Sequence, residues 1–483
     1  MPRPLLTALL VSATVLTGCE VGPNYKRPSA PTPASNQYRE IQGWTPADPN
    51  ADAVVKTDWW TLFDDPVLND LEQRVVVNNQ TLAADLAAYQ QARAILSEQE
   101  AALWPTLSGT GDSRVTFSSG GRTVGASGVV LGSAGAARPI PIYTMELGAT
   151  WEPDLWGRVR RLIENARANA QANLALLNNA RLSAQMELAA DYIALRQLDE
   201  EKRIDDATVK AYETSLTITR NKFLAGNAAQ SDVDQAETQL TSERAAATAL
   251  GQQRAQMEDA IAVLIGRPAD LSIPPAPWTL KPVDVPPGLP STLLQRRPDV
   301  AAAERQAAAA SAEIGVATAG FFPSVTLTGA GGTETQAISH LFNPQTFFWN
   351  AGASAVETVF NAGLTVAQVR AARAFYNEAV ANYRQTALTA FGQVEDNLAA
   401  QRVLAAEQPD LQASVRSADD AVRVTLNEYN AGTVDYTSVV VAQATALAAH
   451  NAELQLEASR LTTTVDLIVA LGGGWNEANL KGR

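Results

Sequence analysis

Asn-Lys-Phe-Leu-Ala-Gly at residues 221–226 recurs in the second half of the chain as Asn-Glu-Tyr-Asn-Ala-Gly at residues 427–432. Gly226 and Gly432 are 206 residues apart, and the same offset places Gly266 on Gly472. This period is far longer than the roughly 20 to 50 residues of solenoid and propeller repeats. The sequence therefore predicts a duplicated module in which each motif has a copy.

A long segment precedes each copy of the motif. Residues 158–223 contain neither Pro nor Gly, which predicts about 100 Å of helix at 1.5 Å per residue. The equivalent segment, residues 364–429, contains Gly392 and Pro409, and these predict interruptions. An earlier helix is expected to begin at Asp65 and to continue until just before Pro105.

The chain is expected to turn after each motif glycine. A second helix then returns, ending at Gly266 in the first half and at Gly472 in the second. The result is two helical hairpins with Gly226 and Gly432 at their tips, where glycine favours positive φ.

Two segments, residues 105–153 and 323–357, alternate with the period of two that is typical of strands. One face is apolar and the other small or polar. The apolar set includes Met145, Leu147, Trp151, Val325, Leu327, Phe347 and Trp349. Strands of about ten residues are long enough to cross a bilayer when tilted. Because open sheet edges are not tolerated in hydrocarbon, four strands per chain require other copies of the chain to close a barrel.

The N-terminus predicts secretion and lipidation. Residues 1–18 have a basic start and a short apolar stretch, as signal peptides do. They end in Leu-Thr-Gly before Cys19, the only cysteine of the chain, and this arrangement resembles the bacterial lipobox. Several acyl chains on Cys19 would anchor the chain firmly. Glu20 follows, which by the rule for such lipoproteins implies the outer membrane.

The predicted organisation follows the repeat. It comprises a signal peptide (1–18), a lipid-anchored extended tether (19–57), a first repeat (58–267), a Pro-rich connector (268–290), a second repeat (291–474) and a C-terminal tail (475–483). No further stretch of 18 apolar residues follows the signal, so no transmembrane helix is expected.

No catalytic constellation stands out. His340 and His450 have no Cys or carboxylate at ligand spacing, so no metal or cofactor is expected apart from lipid on Cys19. A net charge of −14 argues against nucleic acid, whose binding needs clustered Lys and Arg. The pair Trp59-Trp60 is expected to pack rather than to bind a ligand.

Several motifs together resemble the lipoprotein branch of the TolC-like outer-membrane efflux factors, which serve RND-type systems. They are Val-Gly-Pro-Asn-Tyr-Lys-Arg-Pro (21–28), Trp-Trp-Thr-Leu-Phe-Asp-Asp-Pro (59–66), Trp-Glu-Pro-Asp-Leu-Trp-Gly (151–157), Leu-Leu-Gln-Arg-Arg-Pro-Asp-Val (293–300) and Phe-Pro (322–323). The match runs in order through nearly the whole mature chain.

The resemblance implies a fold and partners. The fold is mixed: long α-helical hairpins form a periplasmic helical barrel that continues a trimeric, twelve-stranded transmembrane β-barrel with four strands per chain. The chain would be lipid-anchored in the cell outer membrane by N-acyl and diacylglycerol groups on Cys19. Its partners would be a periplasmic adaptor (membrane fusion protein) and an inner-membrane RND-type transporter. The adaptor would dock at the tips, on Gly226, Asn227, Gly432 and Thr433.

The tunnel entrance departs from the family pattern. The resemblance places the constriction at Tyr429, Asp435, Thr437 and Val441. Where the family often has Val-Leu-Asp-Ala-Gln, residues 439–443 read Val-Val-Val-Ala-Gln, so Val441 replaces a carboxylate. An apolar constriction is therefore an alternative to an electrostatic one.

The main prediction is a passive exit duct for drugs or other small toxic compounds, without catalysis. The same duct could serve type I protein secretion, although the lipid anchor favours efflux. A lipid-anchored structural coiled coil is the alternative of another class, and the membrane-length hairpins argue against it. An envelope hydrolase would need a catalytic site that the sequence does not offer.

Overall fold

The computed structural model describes residues 20–31, 38–40, 58–117, 122–124, 130–133, 139–283, 285, 296–477 and 480. In chain order its helices are α1 (Pro66–Asn78), α2 (Gln80–Ala101), α3 (Arg158–Leu224), α4 (Gln230–Leu264), α5 (Pro298–Ala319), α6 (Leu364–Ala431) and α7 (Tyr436–Ala470). The strands are β1 (Thr106–Thr116), β2 (Arg122–Val124), β3 (Val130–Ser133), β4 (Ile140–Trp151), β5 (Ser324–Thr335) and β6 (Phe347–Val356). None of the described helices is both long and apolar enough to cross a membrane.

The chain divides into two compact units. The first contains residues 1–28, 90–172 and 304–382, and the second contains residues 29–89, 173–303 and 383–483.

A four-stranded antiparallel sheet dominates the first unit. Its order is β1-β4-β5-β6, so β1 and β6 are its edges. The register aligns Leu107, Ala149, Gly329 and Ala351 in one row across the sheet. That row lies on the predicted apolar face. On this face Leu107, Leu147 and Trp349 are 70%, 64% and 74% exposed, whereas Trp151, Val325 and Leu327 are half-buried. The period-two prediction is thus confirmed, and the apolar face lacks a cover within the described chain.

The connection between β1 and β4 is rich in Gly, Ala and Ser. Strands β2 and β3 pair with each other there as a separate antiparallel ribbon.

The second unit is built on an apolar core. Trp59 and Trp60 are buried in it with their rings edge to face and 5.9 Å apart, as predicted for a packing pair. Asp65 begins α1 by accepting hydrogen bonds from the N–H groups of residues 67 and 68. Its other oxygen accepts from the Tyr192 hydroxyl at 2.8 Å, and Arg196 donates to the same hydroxyl at 2.9 Å.

The helix predicted to begin at Asp65 is in fact two helices. Asn79 interrupts it with an extended backbone. The Asn79 side chain accepts from the N–H of Leu82 at 3.0 Å and donates to the carbonyl of Leu264 at 2.9 Å. It therefore ends one helix, caps the next and ties both to α4.

The predicted interruptions at Gly392 and Pro409 are wrong, because α6 continues through both. Pro409 removes one helical N–H donor, and its side chain lies on the exposed face. Water can satisfy the carbonyl that loses its partner there, so the helix persists.

The 206-residue repeat extends to backbone detail. A Cβ at Gly266 would lie 2.2 Å from the Asn78 carbonyl oxygen, and one at Gly472 would lie 2.1 Å from that of Arg296. Both glycines have positive φ. The two copies therefore end their hairpins with the same close backbone approach.

Candidate functional site at the hairpin tips

The two tips share one backbone geometry. Gly226 has φ +74° and Gly432 has φ +80°, as predicted. The residue after each glycine donates its N–H to the carbonyl five residues back, at 2.8 and 3.0 Å, which closes the last helical turn. No atom lies within 4 Å of a Cβ built on either glycine. The two glycines are needed for conformation, and both they and the following Asn227 and Thr433 are exposed.

Sequence reasoning missed an apolar residue at the first tip. Leu224 is 82% exposed, and Phe223 beside it is also exposed. The signal was present in the sequence: two consecutive large apolar residues, Phe223 and Leu224, end the helix just before the turn, with only Ala225 between them and Gly226, and adjacent helical side chains cannot both face the hairpin core. The second tip has the polar Asn430 at the position of Leu224.

The two hairpins are joined just above the tips. Tyr429 on α6 is only 5% exposed, and its hydroxyl donates to Thr219 Oγ1 on α3 at 3.2 Å. The Lys222 ammonium lies 4.0 Å from the centre of the Tyr429 ring and donates to the Tyr429 carbonyl. The Tyr436 ring meets that of Tyr429 edge to face at 5.4 Å, and burial raises the pKa of Tyr436 to about 12.

The two returning helices are capped differently at their N-termini. In α7 the side chain of the first residue, the N-cap, accepts hydrogen bonds, whereas in α4 a side chain three residues later accepts from the N-cap N–H. Asp435 begins α7 and accepts from the N–H and the hydroxyl of Ser438, at 3.0 and 2.8 Å. The Ser438 bonds hold the pKa of Asp435 below its ordinary value. At the equivalent place in the first hairpin, Ala229 has no capping side chain, and Asp232 instead accepts from the N–H of Ala229 at 3.3 Å.

The four residues predicted for the constriction do not share one surface. Asp435, Thr437 and Val441 line a shallow cavity of about 510 Å³, together with small side chains of α6. Val441 is 60% exposed there. Tyr429 instead packs in the joint between the hairpins. The structure thus gives Tyr429 a packing role and leaves the other three able to line an entrance.

His450 is not isolated, contrary to the sequence prediction. Its Nε2 lies 3.0 Å from Asp419 Oδ1 in the second hairpin. The two residues are 31 apart in sequence and meet only because α6 and α7 pack together. His340 lies in the exposed turn Ile338–His340. Among the described residues, no group of three or more His, Cys, Asp or Glu side chains could hold a metal ion.

Cys19, the predicted lipidation site, lies outside the described residues. The segment that follows it is fixed to the first unit. Arg161 is 2% exposed and donates to the Val21 carbonyl at 3.2 Å and to Asn24 Oδ1 at 2.8 Å. The N–H of Val21 donates to the Trp156 carbonyl at 3.0 Å. The start of the predicted tether is therefore a packed element.

Comparisons with known proteins agree with this architecture. The family model described as "Outer membrane efflux protein" matches residues 71–267 and 289–473. The chain belongs to the outer membrane efflux protein family.

Individual relatives cover almost the whole chain. The toluene efflux pump outer membrane protein TtgC of Pseudomonas putida is 33% identical over 98% of this chain and 96% of its own. The probable outer membrane lipoprotein SilC of Salmonella typhimurium is 29% identical over 96% of this chain and 97% of its own. The solved outer-membrane channel OprN is 28% identical, with a TM-score of 0.85 over 95% of this chain and all of OprN.

Family membership decides several predictions. The resemblance inferred from the motifs is confirmed, as are the efflux role and the outer-membrane location. Efflux proteins of this family are channels and not enzymes, so the prediction of a non-enzyme is also correct.

Proposed function

We propose that this chain forms, as a homotrimer, the exit duct of a tripartite pump that passes small toxic organic compounds out of the cell. The observation that carries the proposal is the pair of unpaired edges, β1 and β6, on a sheet whose apolar face is exposed. Hydrocarbon does not tolerate unpaired backbone groups. Three copies would pair edge to edge and close a barrel of twelve strands.

The chemistry of the sheet supports a wet lumen. The face opposite the apolar one bears Ser108, Thr110, Glu146, Thr328 and Asn350 on its four strands. Such residues do not fill a barrel interior, and a polar interior is typical of barrels with an aqueous channel. Organic solutes are proposed as cargo because a relative at 33% identity is a toluene efflux protein.

Light scattering on detergent-solubilised protein tests the trimer, and planar bilayers test the pore. We expect three chains per particle and a steady conductance. A monomer that conducts would refute edge-to-edge closure, and a trimer that does not conduct would refute the duct.

The second part of the proposal is acylation of Cys19 with diacylglycerol and an N-acyl chain. It is supported by the lipobox sequence and by the relative named as a lipoprotein. Metabolic labelling with a palmitate analogue should mark the wild type and not Cys19→Ser. Label retained in Cys19→Ser would contradict the assignment, since the chain has no other cysteine.

The third part is docking of a periplasmic adaptor on the tips, which delivers substrate from an inner-membrane transporter. Exposed backbone at Gly432 and the exposed Leu224 support it. Gly432→Trp adds bulk in open space, whereas Gly432→Ala imposes similar backbone strain without the bulk. We expect Gly432→Trp to abolish adaptor crosslinking and drug resistance while Gly432→Ala keeps both. Equal resistance in the two strains would remove this tip from the docking surface.

A further inference from the structure

An aromatic contact closes the boundary between the two repeats, where β4 ends and β5 begins. The Trp156 ring stacks on that of Phe322, with their centres 4.9 Å apart and their planes at 24°. The indole N–H of Trp156 also donates to the Pro323 carbonyl at 2.8 Å. Trp156 belongs to the turn between β4 and α3, and Phe322 and Pro323 lie just before β5. The turn after one strand is thereby fastened to the start of the next strand.

The approach to β1 repeats the approach to β5. Trp104 and Pro105 precede β1 as Phe322 and Pro323 precede β5. The helices that lead into these strands, α2 and α5, both have 22 residues. Trp104 is nevertheless 73% exposed, and only Leu82 is buried in α2, whereas α5 is buried along most of its length. The first copy of this motif therefore lacks the cover that the second copy has.

The turn between β6 and α6 repeats the turn between β4 and α3. Gly363 corresponds to Gly157, with φ +87° and +81°, and a helix begins directly after each glycine. The earlier turn is covered, since a Cβ at Gly157 would lie 2.8 Å from Glu20 Cγ. At Gly363 a Cβ would meet no described atom within 4 Å. Val359 and Phe360, in the later turn, are 94% and 86% exposed.

Closure of the proposed ring brings these two exposed places together. Neighbouring strands of the sheet are all antiparallel, so β6 of one copy would run antiparallel to β1 of the next, as membrane barrels require. The end of β6 then meets the start of that β1, as the end of β4 meets β5 where Trp151 pairs with Leu327. The contact between the repeats within one chain is thus repeated between two chains.

We propose that a second copy of this chain covers the turn between β6 and α6, with its Trp104 packed on Ala362 and Phe360. Ala362 corresponds to Trp156, because each directly precedes the positive-φ glycine of its turn. Trp104 would therefore occupy the position that Phe322 has on Trp156. Alanine leaves room at that position for the neighbouring ring of Phe360.

The contact rests on the proposed trimer and deepens it, because edge-to-edge closure supplies the neighbouring copy. Contiguous exposed apolar side chains mark interaction surfaces, and here they occur on both sides of the same junction. Protein rather than lipid is the occupant favoured by the repeat, because the equivalent turn within the chain is covered by protein.

Cysteine crosslinking of the full-length protein in detergent tests the contact. Trp104→Cys combined with Ala362→Cys should be linked by a short bifunctional thiol reagent into dimers and trimers on a denaturing gel. Trp156→Cys with Phe322→Cys calibrates the reagent, because the same contact within one chain should give a bridged monomer. Phe117→Cys with Ala362→Cys is the negative control, since Phe117 follows the far end of β1.

Light scattering on the same samples separates this contact from the proposed function. The wild type, with Cys19 as its only cysteine, shows the background. Trimers linked through the 104 and 362 pair, with the negative control unlinked, support the contact. Trimers in which that pair stays unlinked while the 156 and 322 pair is bridged overturn the contact and leave the trimer intact. Particles of a single chain refute edge-to-edge closure itself, and the contact with it.

A substitution without cysteine gives a second measurement. Phe360→Ser should raise the dissociation constant of the trimer at least about tenfold, because the free energy of burying an aromatic side chain exceeds one power of ten. Phe342→Ser is the matched control, since Phe342 is similarly exposed but lies between β5 and β6, at the opposite end of the sheet. Equal dissociation of the two variants would overturn the contact.

Discussion

Gly315 lies against the buried side chain of Arg161, so closely that a Cβ at Gly315 would stand 2.7 Å from Arg161 Cγ. Gly22 also packs closely on Gly315, and a Cβ at Gly22 would lie 2.5 Å from the Cα of Gly315. Arg161 also pairs with Glu164 at 2.6 Å and with Glu20 at 3.5 Å. The segment after Cys19 therefore packs against α5 at Gly315, where neither Gly22 nor Gly315 has room for a side chain.

Gly315→Ala should destabilise the protein by about 2 kcal/mol, because overpacking a full site forces neighbours apart. Gly251→Ala is the matched control, since Gly251 is also helical and a Cβ there meets nothing within 4 Å. That variant should be stabilised slightly by its better helix propensity. Thermal unfolding in detergent measures both, and limited proteolysis reports release of the N-terminal segment. Equal unfolding midpoints would show that the contact gives way without cost.

Glu72→Gln should stabilise the protein at neutral pH. Glu72 is fully buried, both carboxyl oxygens have no hydrogen-bond partner, and burial raises its pKa to about 9 against the opposing charge of Arg181. Because the folded state holds the proton more tightly than the unfolded state, stability falls as pH rises from about 4.5 to about 9. The neutral amide avoids a loss of up to about 3 kcal/mol at pH 7.

Unfolding measured at pH 4.5 and pH 8 tests this expectation. The gain of Glu72→Gln should appear at pH 8 and vanish at pH 4.5, where glutamate and glutamine are both neutral in the fold. Glu98→Gln on the exposed face of α2 should change nothing at either pH. A gain of equal size at both values would point to packing rather than to the proton.

Two features of the fold could be predicted from the sequence alone: the turns at the repeated tip glycines and the alternation of the strands. The sequence predicted that the chain reverses direction at Gly226 and at Gly432, and both glycines do so with positive φ. Period-two alternation located the strands of the four-stranded sheet and their two faces, because one residue of slippage would exchange the faces. These features depend on neighbours in sequence, so residue order was enough.

Features that depend on contacts between residues distant in sequence could not be predicted from the sequence alone. The break at Asn79 needs the Leu264 carbonyl, 185 residues away. The pairing of His450 with Asp419 needs two packed helices. Gly392 and Pro409 suggested interruptions from local propensity alone, and packing of the long helix outweighed it. At the tips, the sequence marked the turning residues, and its signal for an exposed Leu224, the consecutive Phe223 and Leu224, was overlooked.

Lys222→Met should weaken the joint between the hairpins. The substitution keeps a long side chain but removes the hydrogen bond to the Tyr429 carbonyl and the contact of the ammonium with the ring. Together these contribute about 1 to 2 kcal/mol. Single-channel conductance should rise, because the second hairpin moves more freely. Lys210→Met, on the exposed face of the same helix, serves as the control, and an equal rise in both would indicate a general charge effect.

Val441→Asp tests how the entrance closes. Val441 is exposed on the cavity that it shares with Asp435 and Thr437, and in a trimer three copies would face one axis. If apolar contact closes the entrance, three added carboxylates should repel each other, most strongly where water is scarce. The entrance should then hydrate, and conductance should rise. The repeat supplies the control, because Gln235→Asp places the same charge at the equivalent exposed position of the first hairpin. A Val441→Asp channel that conducts like the wild type would remove Val441 from the gate. A rise shared by Gln235→Asp would assign the effect to charge near the tips rather than to the Val441 contact.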